Sequence, residues 1–302
     1  MPKPNVTILG AGNIGQAIAR LIKPKAKTVW LWDKDPVKVP QTPQLSEIIP
    51  QSNVVFLCVP SAAIREVLMS LKPYLNKLRQ KTVIISLSKG LEAKTFLTVD
   101  MVIKQSLPAG QPFGLLSGPM LAEELNQDMG GGAIVASKDI SVYKELKKLL
   151  PVSVVAEHSS DTYGAALAGV LKNVYAIAIG LADGLAYGSN KKGLIASYAI
   201  REMMAIFTLL KAKPETLLGP AGLADFLATA YSPYSRNRSE GDELAHHLNR
   251  HLHGEGAASI GSLEKLVKKQ LPNLPLLASL IAIIKKGKNP KTIMTNFCRK
   301  YV

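Results

Sequence analysis

The sequence has few cysteines, and neither cysteine belongs to a recognisable pattern. Cys58 and Cys298 are the two cysteines among 302 residues, and neither lies in a CxxC pair or at a metal-ligand spacing. We therefore expect reduced thiols, a cytoplasmic location and no metal site.

Targeting segments and long apolar runs are also scarce. The N-terminal stretch MPKPNVTILGAG leads directly into a strand pattern, without the basic and apolar regions of a signal segment. The apolar run LPLLASLIAII near the end is too short to span a bilayer. These features predict a soluble globular protein without an integral membrane segment.

Acidic residues are few relative to basic ones. The chain has 37 Lys and Arg against 22 Asp and Glu, for a net charge of +15. Such an excess suits nucleic acid, an anionic membrane surface or small phosphorylated ligands. The basic residues are scattered, with only short clusters such as KELKK, and no basic arm or alternation with aromatic residues occurs. We therefore predict a generally basic surface and no nucleic-acid partner.

Strand and helix patterns alternate in the first half of the chain. The candidate strands are NVTIL, TVWLW, NVVFLCV, TVIISLS, FGLLS and AIVAS, with VSVVA as a last one. This alternation predicts an α/β fold with a Rossmann-type, doubly wound parallel sheet. Beyond about residue 158 apolar helical patterns follow, at 162–182, 191–210, 220–230, 239–253, 259–270 and 275–286. We predict two domains, residues 1–158 and an all-α domain of residues 159–302.

A glycine-rich turn follows the first predicted strand. In TILGAGNIGQAIARL, Gly10 permits a tight turn, Gly12 lets a pyrophosphate approach the backbone, and Gly15 lets the next helix pack on the strand. Asp33, at the end of the second strand, could accept hydrogen bonds from a ribose and favours NAD, whereas Lys34 beside it could meet the 2′-phosphate of NADP. We predict a dinucleotide-binding first domain, against the alternative of a purely structural turn.

An apolar helical stretch, AGVLKNVYAIAIGLADG, contains Lys172 and Asn173 in its middle. A buried lysine is costly unless it is paired, and burial lowers its pKa toward the range where it can exchange protons. The alternatives are that Lys172 reaches the surface and that Asn173 only ties down a loop. Further polar residues interrupt apolar runs elsewhere and are candidates for the same site: Lys89, Asp225, Ser235, Arg236 and Asn237.

Several segments, in this order, resemble the bacterial-type NAD(P)-dependent glycerol-3-phosphate dehydrogenase family. They are GAGNIGQAIA, VPS, LSKGLE, SGPMLAEE, LKNVYAIAIGLADGLAYGSN, GPAGLADFLATAYSPYSRNRSEG, HGEGAAS and KGKNP. The resemblance implies reversible reduction of dihydroxyacetone phosphate to sn-glycerol 3-phosphate, for phospholipid synthesis. It also implies a C-terminal domain like that of 6-phosphogluconate dehydrogenase, and a homodimer.

The resemblance also assigns roles to residues. It implies that Lys172 is the catalytic acid and base. The implied substrate-binding residues are Lys89, Gly118, Asp225, Ser235, Arg236 and Asn237, with Asn173 and Thr229 beside them. The implied cofactor-binding residues are the three loop glycines, Asp33, Asn13, Ile14, Lys34, Lys89, Ala122, Arg236 and Glu255. The cofactor is NAD, with NADP as the second candidate.

The chain departs from the family pattern at several points, and two other interpretations remain. It is shorter between TVWLWDKDP and NVVFLCVPS, and Ile14, Met120, Tyr198 and Ala224 replace residues usual in the family. One alternative is another two-domain dehydrogenase, of the hydroxyacid or ketopantoate type, although such substrates would not need the SRN phosphate receptor. The other is a non-catalytic dinucleotide sensor that binds a partner through its basic surface.

Overall fold

The structure is a computed structural model that describes residues 2–40, 43–75, 82–246 and 251–302. Contacts between residues divide the chain into two compact units. The first unit is Met1–Lys89 with Thr98–Ala166, and the second is Gly90–Leu97 with Leu167–Val302. The domain boundary between residues 158 and 159 stays a prediction, because a division by contacts does not test whether either part folds alone.

The first unit is built on a seven-stranded sheet with the strand order β2-β1-β3-β4-β5-β6-β7. Its strands are β1 Asn5–Leu9, β2 Thr28–Trp32, β3 Val54–Leu57, β4 Val83–Ser86, β5 Phe113–Ser117, β6 Gly131–Ala136 and β7 Val154–Ser159. Its helices are α1 Asn13–Ile22, α2 Leu45–Ile48, α3 Ile64–Leu75, α4 Val99–Ser106, α5 Ala122–Asn126 and α6 Ile140–Leu149. This is the predicted Rossmann-type architecture.

The central strands are apolar on both faces, as expected for parallel strands that are covered by helices on either side. Val6 and Ile8 of β1 are fully buried in a core shared with Phe56 of β3 and Ile18 of α1. Strand β1 pairs in parallel with β2 on one side and β3 on the other. The chain therefore changes direction across the sheet beside β1, and in such sheets ligands bind at the carboxyl ends of the strands at this point.

The sheet is mostly but not entirely parallel, a detail that the strand pattern did not predict. Strand β5 pairs with β6 in antiparallel orientation, whereas β6 and β7 are parallel. The connection from β5 to β6 contains only the five-residue helix α5. Because a parallel return has to run back along the whole strand, so short a helix favours the antiparallel arrangement.

The second unit is helical, as predicted for this half of the chain. Its helices are α7 Thr162–Gly184, which begins within the first unit, α8 Ser189–Leu209, α9 Pro214–Leu218, α10 Asp225–Tyr231, α11 Arg236–His246, α12 Glu255–Leu266, α13 Pro275–Ile284 and α14 Pro290–Tyr301. Helices α9 and α14 were not predicted. A π-helical turn, Pro220–Ala224, occupies the first part of the predicted helix 220–230. The predicted helix 239–253 corresponds to α11, and its residues 247–250 lie outside the described residues.

Helix α7 is long and apolar enough to cross a membrane by length and composition alone. Every residue of the apolar window that meets this test is buried inside the structure. A core helix of a folded protein meets the same test and is buried in the same way.

Candidate active site

The glycine-rich turn after β1 is tightly packed at two of its glycines and open at the third. Gly10 has a φ of +104°, and a Cβ atom there would lie 2.5 Å from the backbone oxygen of Cys58. A Cβ atom at Gly15 would lie 1.9 Å from the backbone oxygen of Gly10. At Gly12 no heavy atom of a described residue beyond its chain neighbours lies within 4 Å of the Cβ position. The turn therefore leaves open space at Gly12, where a pyrophosphate would approach the backbone.

Helix α1 begins directly after this open position. Among the residues that the structure describes, no side chain caps its N-terminus, and its first turn contains no acidic residue. Its first N–H groups and the positive end of the helix dipole are thus available to an anion. These residues fit the pyrophosphate of a dinucleotide.

Asp33, directly after β2, is hydrogen-bonded to the turn. Its Oδ2 accepts the N–H of Ala11 at 2.8 Å, and its Oδ1 accepts the N–H of Asp35 at 3.0 Å. The Lys38 ammonium lies 3.7 Å from Oδ2. Burial acts to raise the pKa of Asp33, but the two N–H donors and the Lys38 charge outweigh burial and lower this pKa below its ordinary value. The carboxylate is therefore charged and already supports the glycine turn.

The other predicted cofactor residues of the first unit differ in burial: two are exposed and two pack in or against the core. Asn13 is exposed at the start of α1, and its Nδ2 donates to Glu123 Oε1 at 3.2 Å. Ile14 packs against the core of the unit, and Ala122 belongs to that core. Lys34 is exposed and forms no hydrogen bond or ion pair with any described residue. Glu123 was not predicted, although it lies within the SGPMLAEE segment that carries the resemblance.

Two predicted substrate residues of the first unit, Lys89 and Gly118, are brought together. The Nζ of Lys89, after β4, donates to the backbone oxygen of Gly118, after β5, over 3.5 Å. Gly118 has a φ of +147°, and a Cβ atom there would lie 2.4 Å from the backbone oxygen of Gly132. Position 118 therefore requires glycine, and its carbonyl is held beside the lysine.

In the second unit, Lys172 of α7 is buried and paired. Its Nζ donates to Asp225 Oδ1 at 2.8 Å and to Thr229 Oγ1 at 2.7 Å. Lys172 is 6% exposed, Asp225 2% and Thr229 3%. The lysine side chain does not reach the surface, so the alternative that Lys172 extends to solvent is excluded. A buried ammonium with these two partners is electrostatically compensated and held at one position.

The turn before α10 places Asp225 at the start of that helix. The π-helical turn Pro220–Ala224 ends directly at Asp225. A Cβ atom at Gly222 would lie 2.0 Å from the backbone oxygen of Leu217, so the turn requires glycine there. Thr229 lies one helical turn after Asp225, on the same face of α10. Both side chains therefore point toward Lys172.

Asn173, beside Lys172, begins a chain of hydrogen bonds. Its Oδ1 accepts from Asn237 Nδ2 at 3.0 Å, and the Oδ1 of Asn237 accepts the N–H of Gly256 at 3.0 Å. Asn173 and Asn237 are both buried. Glu255, a predicted cofactor residue, is the first residue of α12 and precedes Gly256. This series of hydrogen bonds thus connects α7, α11 and α12.

The predicted phosphate receptor lies at the start of α11. The buried Ser235 accepts the N–H of Arg238 at 3.3 Å through its Oγ and caps the helix. Arg236 is exposed, and its guanidinium forms no hydrogen bond or ion pair with a described residue. Its five N–H donors are available to an anion at the N-terminal end of α11.

The comparisons with known proteins agree on one family. The model described as NAD-dependent glycerol-3-phosphate dehydrogenase N-terminus matches residues 34–143, and the corresponding C-terminus model matches residues 161–295. The chain is 32% identical to a glycerol-3-phosphate dehydrogenase [NAD(P)+] of Pseudomonas syringae pv. syringae, over 97% of this chain and 94% of that protein. It is 34% identical to the protein of the same name from Acinetobacter baylyi, over 79% of this chain and 72% of that protein.

A solved structure supports the same assignment. The crystal structure of glycerol-3-phosphate dehydrogenase from Coxiella burnetii superimposes with a TM-score of 0.85 at 27% identity, covering 98% of this chain and 99% of that one. The resemblance noted in the sequence is confirmed. The chain belongs to the NAD-dependent glycerol-3-phosphate dehydrogenase family.

Proposed function

We propose that this protein catalyses the reversible reduction of dihydroxyacetone phosphate to sn-glycerol 3-phosphate with NADH or NADPH. The protein is an NAD(P)-dependent oxidoreductase of its family. The observation that carries the proposal for the site is the buried Lys172, whose Nζ is held by Asp225 and Thr229. The product is the glycerol phosphate backbone of phospholipids, so the reaction supplies phospholipid synthesis.

The glycine turn and its neighbours hold the dinucleotide. Gly10, Gly12 and Gly15 shape the turn, with Asn13 and Ile14 at the start of α1, and Lys34, Lys89, Ala122, Arg236 and Glu255 complete the set. The bound cofactor supplies, or takes back, a hydride at the second carbon of the substrate. Asp33 supports the turn through the two N–H groups that it accepts, and its remaining lone pairs can accept the ribose hydroxyls, which favours NAD. Lys34 beside it allows NADP as the second cofactor.

Lys172 moves the proton of the reaction. As hydride reaches the carbonyl carbon, the Lys172 ammonium donates a proton to the carbonyl oxygen, which becomes the hydroxyl of the product. In the oxidation direction the neutral amine removes that proton. Asp225 and Thr229 keep Nζ at one position, so that its proton meets a developing alkoxide.

The remaining side chains bind substrate. Arg236 and the first N–H groups of α11 bind the phosphate, with Ser235 and Asn237 fixing the start of the helix. Asn173, Lys89 and Gly118 complete the substrate-binding set. Because a guanidinium and free N–H groups suit a phosphate, these residues favour a phosphorylated ketone over the carboxylate substrates of hydroxyacid or ketopantoate dehydrogenases.

The test is oxidation of NADH and NADPH with dihydroxyacetone phosphate, measured for the wild type, Lys172→Met and Lys192→Met. Lys192 is the matched control, because its ammonium also pairs with an aspartate, Asp183, at 2.9 Å. We expect Lys172→Met to lower kcat by about two to four orders of magnitude and Lys192→Met to leave it nearly unchanged.

Other results would point elsewhere. Reduction of a carboxylate ketone in place of dihydroxyacetone phosphate would indicate a different dehydrogenase. Binding of NADH without turnover of any ketone would indicate a dinucleotide sensor. Equal loss of activity in both lysine variants would contradict the role of Lys172.

A homodimer in the cytoplasm completes the proposal. The homodimer rests on the resemblance to the family, and light scattering of the purified protein tests it. The cytoplasmic location rests on the thiols: Cys58 and Cys298 are both free, and burial raises the pKa of Cys58 to about 12. Cell fractionation tests the location.

A further inference from the structure

The segment of residues 253–256, which leads into α12, is attached to α11 by its backbone. The N–H groups of His253 and Gly254 donate to Glu240 Oε1 at 2.8 Å and 2.7 Å. The N–H of Gly256 donates to Asn237 Oδ1 at 3.0 Å. One carboxylate oxygen and one amide oxygen of α11 therefore receive three of the four N–H groups of this segment.

The segment also packs without room for side chains at its two glycines. A Cβ atom at Gly254 would lie 2.6 Å from both Glu240 Oε2 and Asn237 Oδ1. A Cβ atom at Gly256 would lie 2.4 Å from the backbone oxygen of Asn173. The backbone of the segment thus lies directly against the carboxylate of Glu240 and against α7.

Glu240 is a charged residue at a buried position. It is 7% exposed, and its Oε2 has no hydrogen-bond partner among the described residues. A buried carboxylate with an unused oxygen is costly, and the other oxygen of Glu240 accepts the N–H groups of His253 and Gly254. The cost of Glu240 therefore calls for an explanation beyond the packing of α11.

We propose that Glu240 is a positioning residue for dinucleotide binding, and that it acts through Glu255. This inference rests on the proposed function, which assigns Glu255 to the cofactor-binding set. Asn237 holds the segment at Gly256, on one side of Glu255, and Glu240 holds it at His253 and Gly254, on the other side. One attachment would let the segment rotate about that point, whereas two attachments fix the direction in which the Glu255 side chain extends from the backbone.

The geometry also connects Glu255 with the proposed catalytic lysine. Asn237 hydrogen-bonds Asn173, which follows Lys172 in α7. Since both attachments of the segment are made by α11, the start of α12 is set relative to the same helix that orients Asn173. Glu240 thereby keeps Glu255, the proposed cofactor-binding residue, at a fixed position relative to α7, the helix that carries Lys172.

The test is titration of the purified protein with NADH, followed by the nucleotide fluorescence, together with thermal unfolding of each variant. Glu240→Leu removes the acceptor, and Glu240→Gln keeps an oxygen for both N–H groups. We expect Glu240→Leu to raise the Kd for NADH by about tenfold, the loss that corresponds to one hydrogen bond to a charged group. We expect Glu240→Gln to remain within about twofold of the wild type, because the oxygen that accepts both N–H groups is retained.

Glu202→Leu is the matched control for a loss of stability. Glu202 is also a buried glutamate that accepts two backbone N–H groups, those of Leu276 and Leu277 at the start of α13. We expect Glu202→Leu to lower the Tm at least as much as Glu240→Leu and to leave the Kd for NADH unchanged. If Glu240→Leu does not fold, Gly254→Ala replaces it, because the added Cβ displaces the segment from the carboxylate.

Glu255→Ala separates this inference from the proposed function. If Glu255→Ala weakens NADH binding and Glu240→Leu does not, Glu240 has no positioning role although Glu255 still binds the cofactor. If Glu255→Ala leaves NADH binding unchanged, Glu255 does not bind the cofactor, and the inference that Glu240 positions Glu255 is contradicted as well. Equal weakening by Glu240→Gln and Glu240→Leu would also overturn the inference, because the retained oxygen would then have no effect.

Discussion

At the scale of single residues, the pairing of Lys172 with Asp225 determines what each side chain can do. Both are almost fully buried, so neither charge has water to compensate it. Such a pair gives little net stability compared with two apolar residues, but loss of one partner leaves the other charge uncompensated. The pair is therefore explained by the chemistry proposed for Lys172 and not by a gain in stability.

Asp225→Asn tests this account through stability. The variant leaves the Lys172 ammonium buried beside a neutral amide, and we expect the free energy of unfolding to fall by about 3 kcal/mol. The double variant Lys172→Met with Asp225→Asn removes both charges and should recover most of that loss while remaining inactive. Urea unfolding measures both effects. A double variant as unstable as the sum of the two single variants would contradict the pairing.

Glu202 is a buried carboxyl group outside the proposed site. Burial raises its pKa, although the Tyr175 hydroxyl and the N–H groups of Leu276 and Leu277 act in the opposite direction. The folded protein therefore holds a proton on Glu202 at pH values where the unfolded chain has lost it. Stability then falls as the pH rises from the ordinary glutamate pKa of about 4.3 through the raised value.

Glu202→Gln should remove this pH dependence. Glutamine does not titrate, so the free energy of unfolding of the variant should be flatter than that of the wild type over the same pH interval. Urea unfolding at a series of pH values, compared between the two proteins, measures the difference. Identical slopes would show that Glu202 does not hold a raised pKa in the folded state.

At the scale of secondary-structure elements, α7 and α11 cross at unusually short distance. A Cβ atom at Gly180 of α7 would lie 1.9 Å from the backbone oxygen of Arg238, and one at Gly241 of α11 would lie 2.2 Å from that of Ile177. Glycine on both helices therefore lets the two backbones touch. This contact holds the two helices that carry Asn173 and Asn237.

Gly180→Ala should separate the two helices. The added Cβ meets backbone on the other helix, which cannot move aside as a side chain would, and we expect a loss of about 1–3 kcal/mol in stability together with a lower kcat/KM. The control is Gly193→Ala on α8, where, outside the helix's own backbone, the described part of the chain has no heavy atom within 4 Å of the Cβ position. Alanine there should leave stability unchanged or raise it by up to about 1 kcal/mol. Urea unfolding and steady-state kinetics compare the two variants.

The sequence predicts those elements that bury a continuous apolar run. The strands around β1 and β3 were found because their residues are apolar on both faces, and α7 because it is apolar on every side. Helix α14 was missed because it is amphipathic and polar on average, although Asn289 caps it and Pro290 opens it. The antiparallel step at β5 and β6 was missed because orientation depends on how the connecting segment returns, which no local pattern records.

Apart from the glycine-rich turn and the residues that the family resemblance implies, the proposed site was predicted where a polar residue interrupts an apolar run. Lys172 and Asp225 stand out in this way. Glu240 lies in a polar stretch, RNRSEGDELAH. The sequence pattern there does not indicate which glutamate is buried and which is exposed. Its contacts depend on how residues 253–256 return to α11, and such long-range packing is decided only in three dimensions.

At the scale of the whole molecule, the net charge of +15 matches the anionic ligands proposed for it. Dihydroxyacetone phosphate and the dinucleotides all carry negative charge. A positively charged protein attracts such ligands over a distance set by the salt concentration, and this attraction raises their rate of encounter. The proposed anionic ligands are thus one explanation of the basic composition.

Salt should therefore weaken the reaction with the charged substrate. We expect kcat/KM for dihydroxyacetone phosphate to fall by about threefold to tenfold when ionic strength rises from about 0.01 M to about 0.1 M, because screening shortens the reach of the protein charge. Unphosphorylated dihydroxyacetone, measured at the same saturating NADH, is the control and should show little dependence. A salt response equal for both ketones would rule out steering of the phosphate.

The burial of α7 has a consequence for how the protein is made. Residues that contact α7 lie later in the chain, on α8, α10, α11 and α12, and they leave the ribosome after it. At a synthesis rate of about 5–20 residues per second, the nascent chain carries an uncovered apolar helix for several seconds. We expect chains that terminate early, before α10, to aggregate, because α7 then stays exposed.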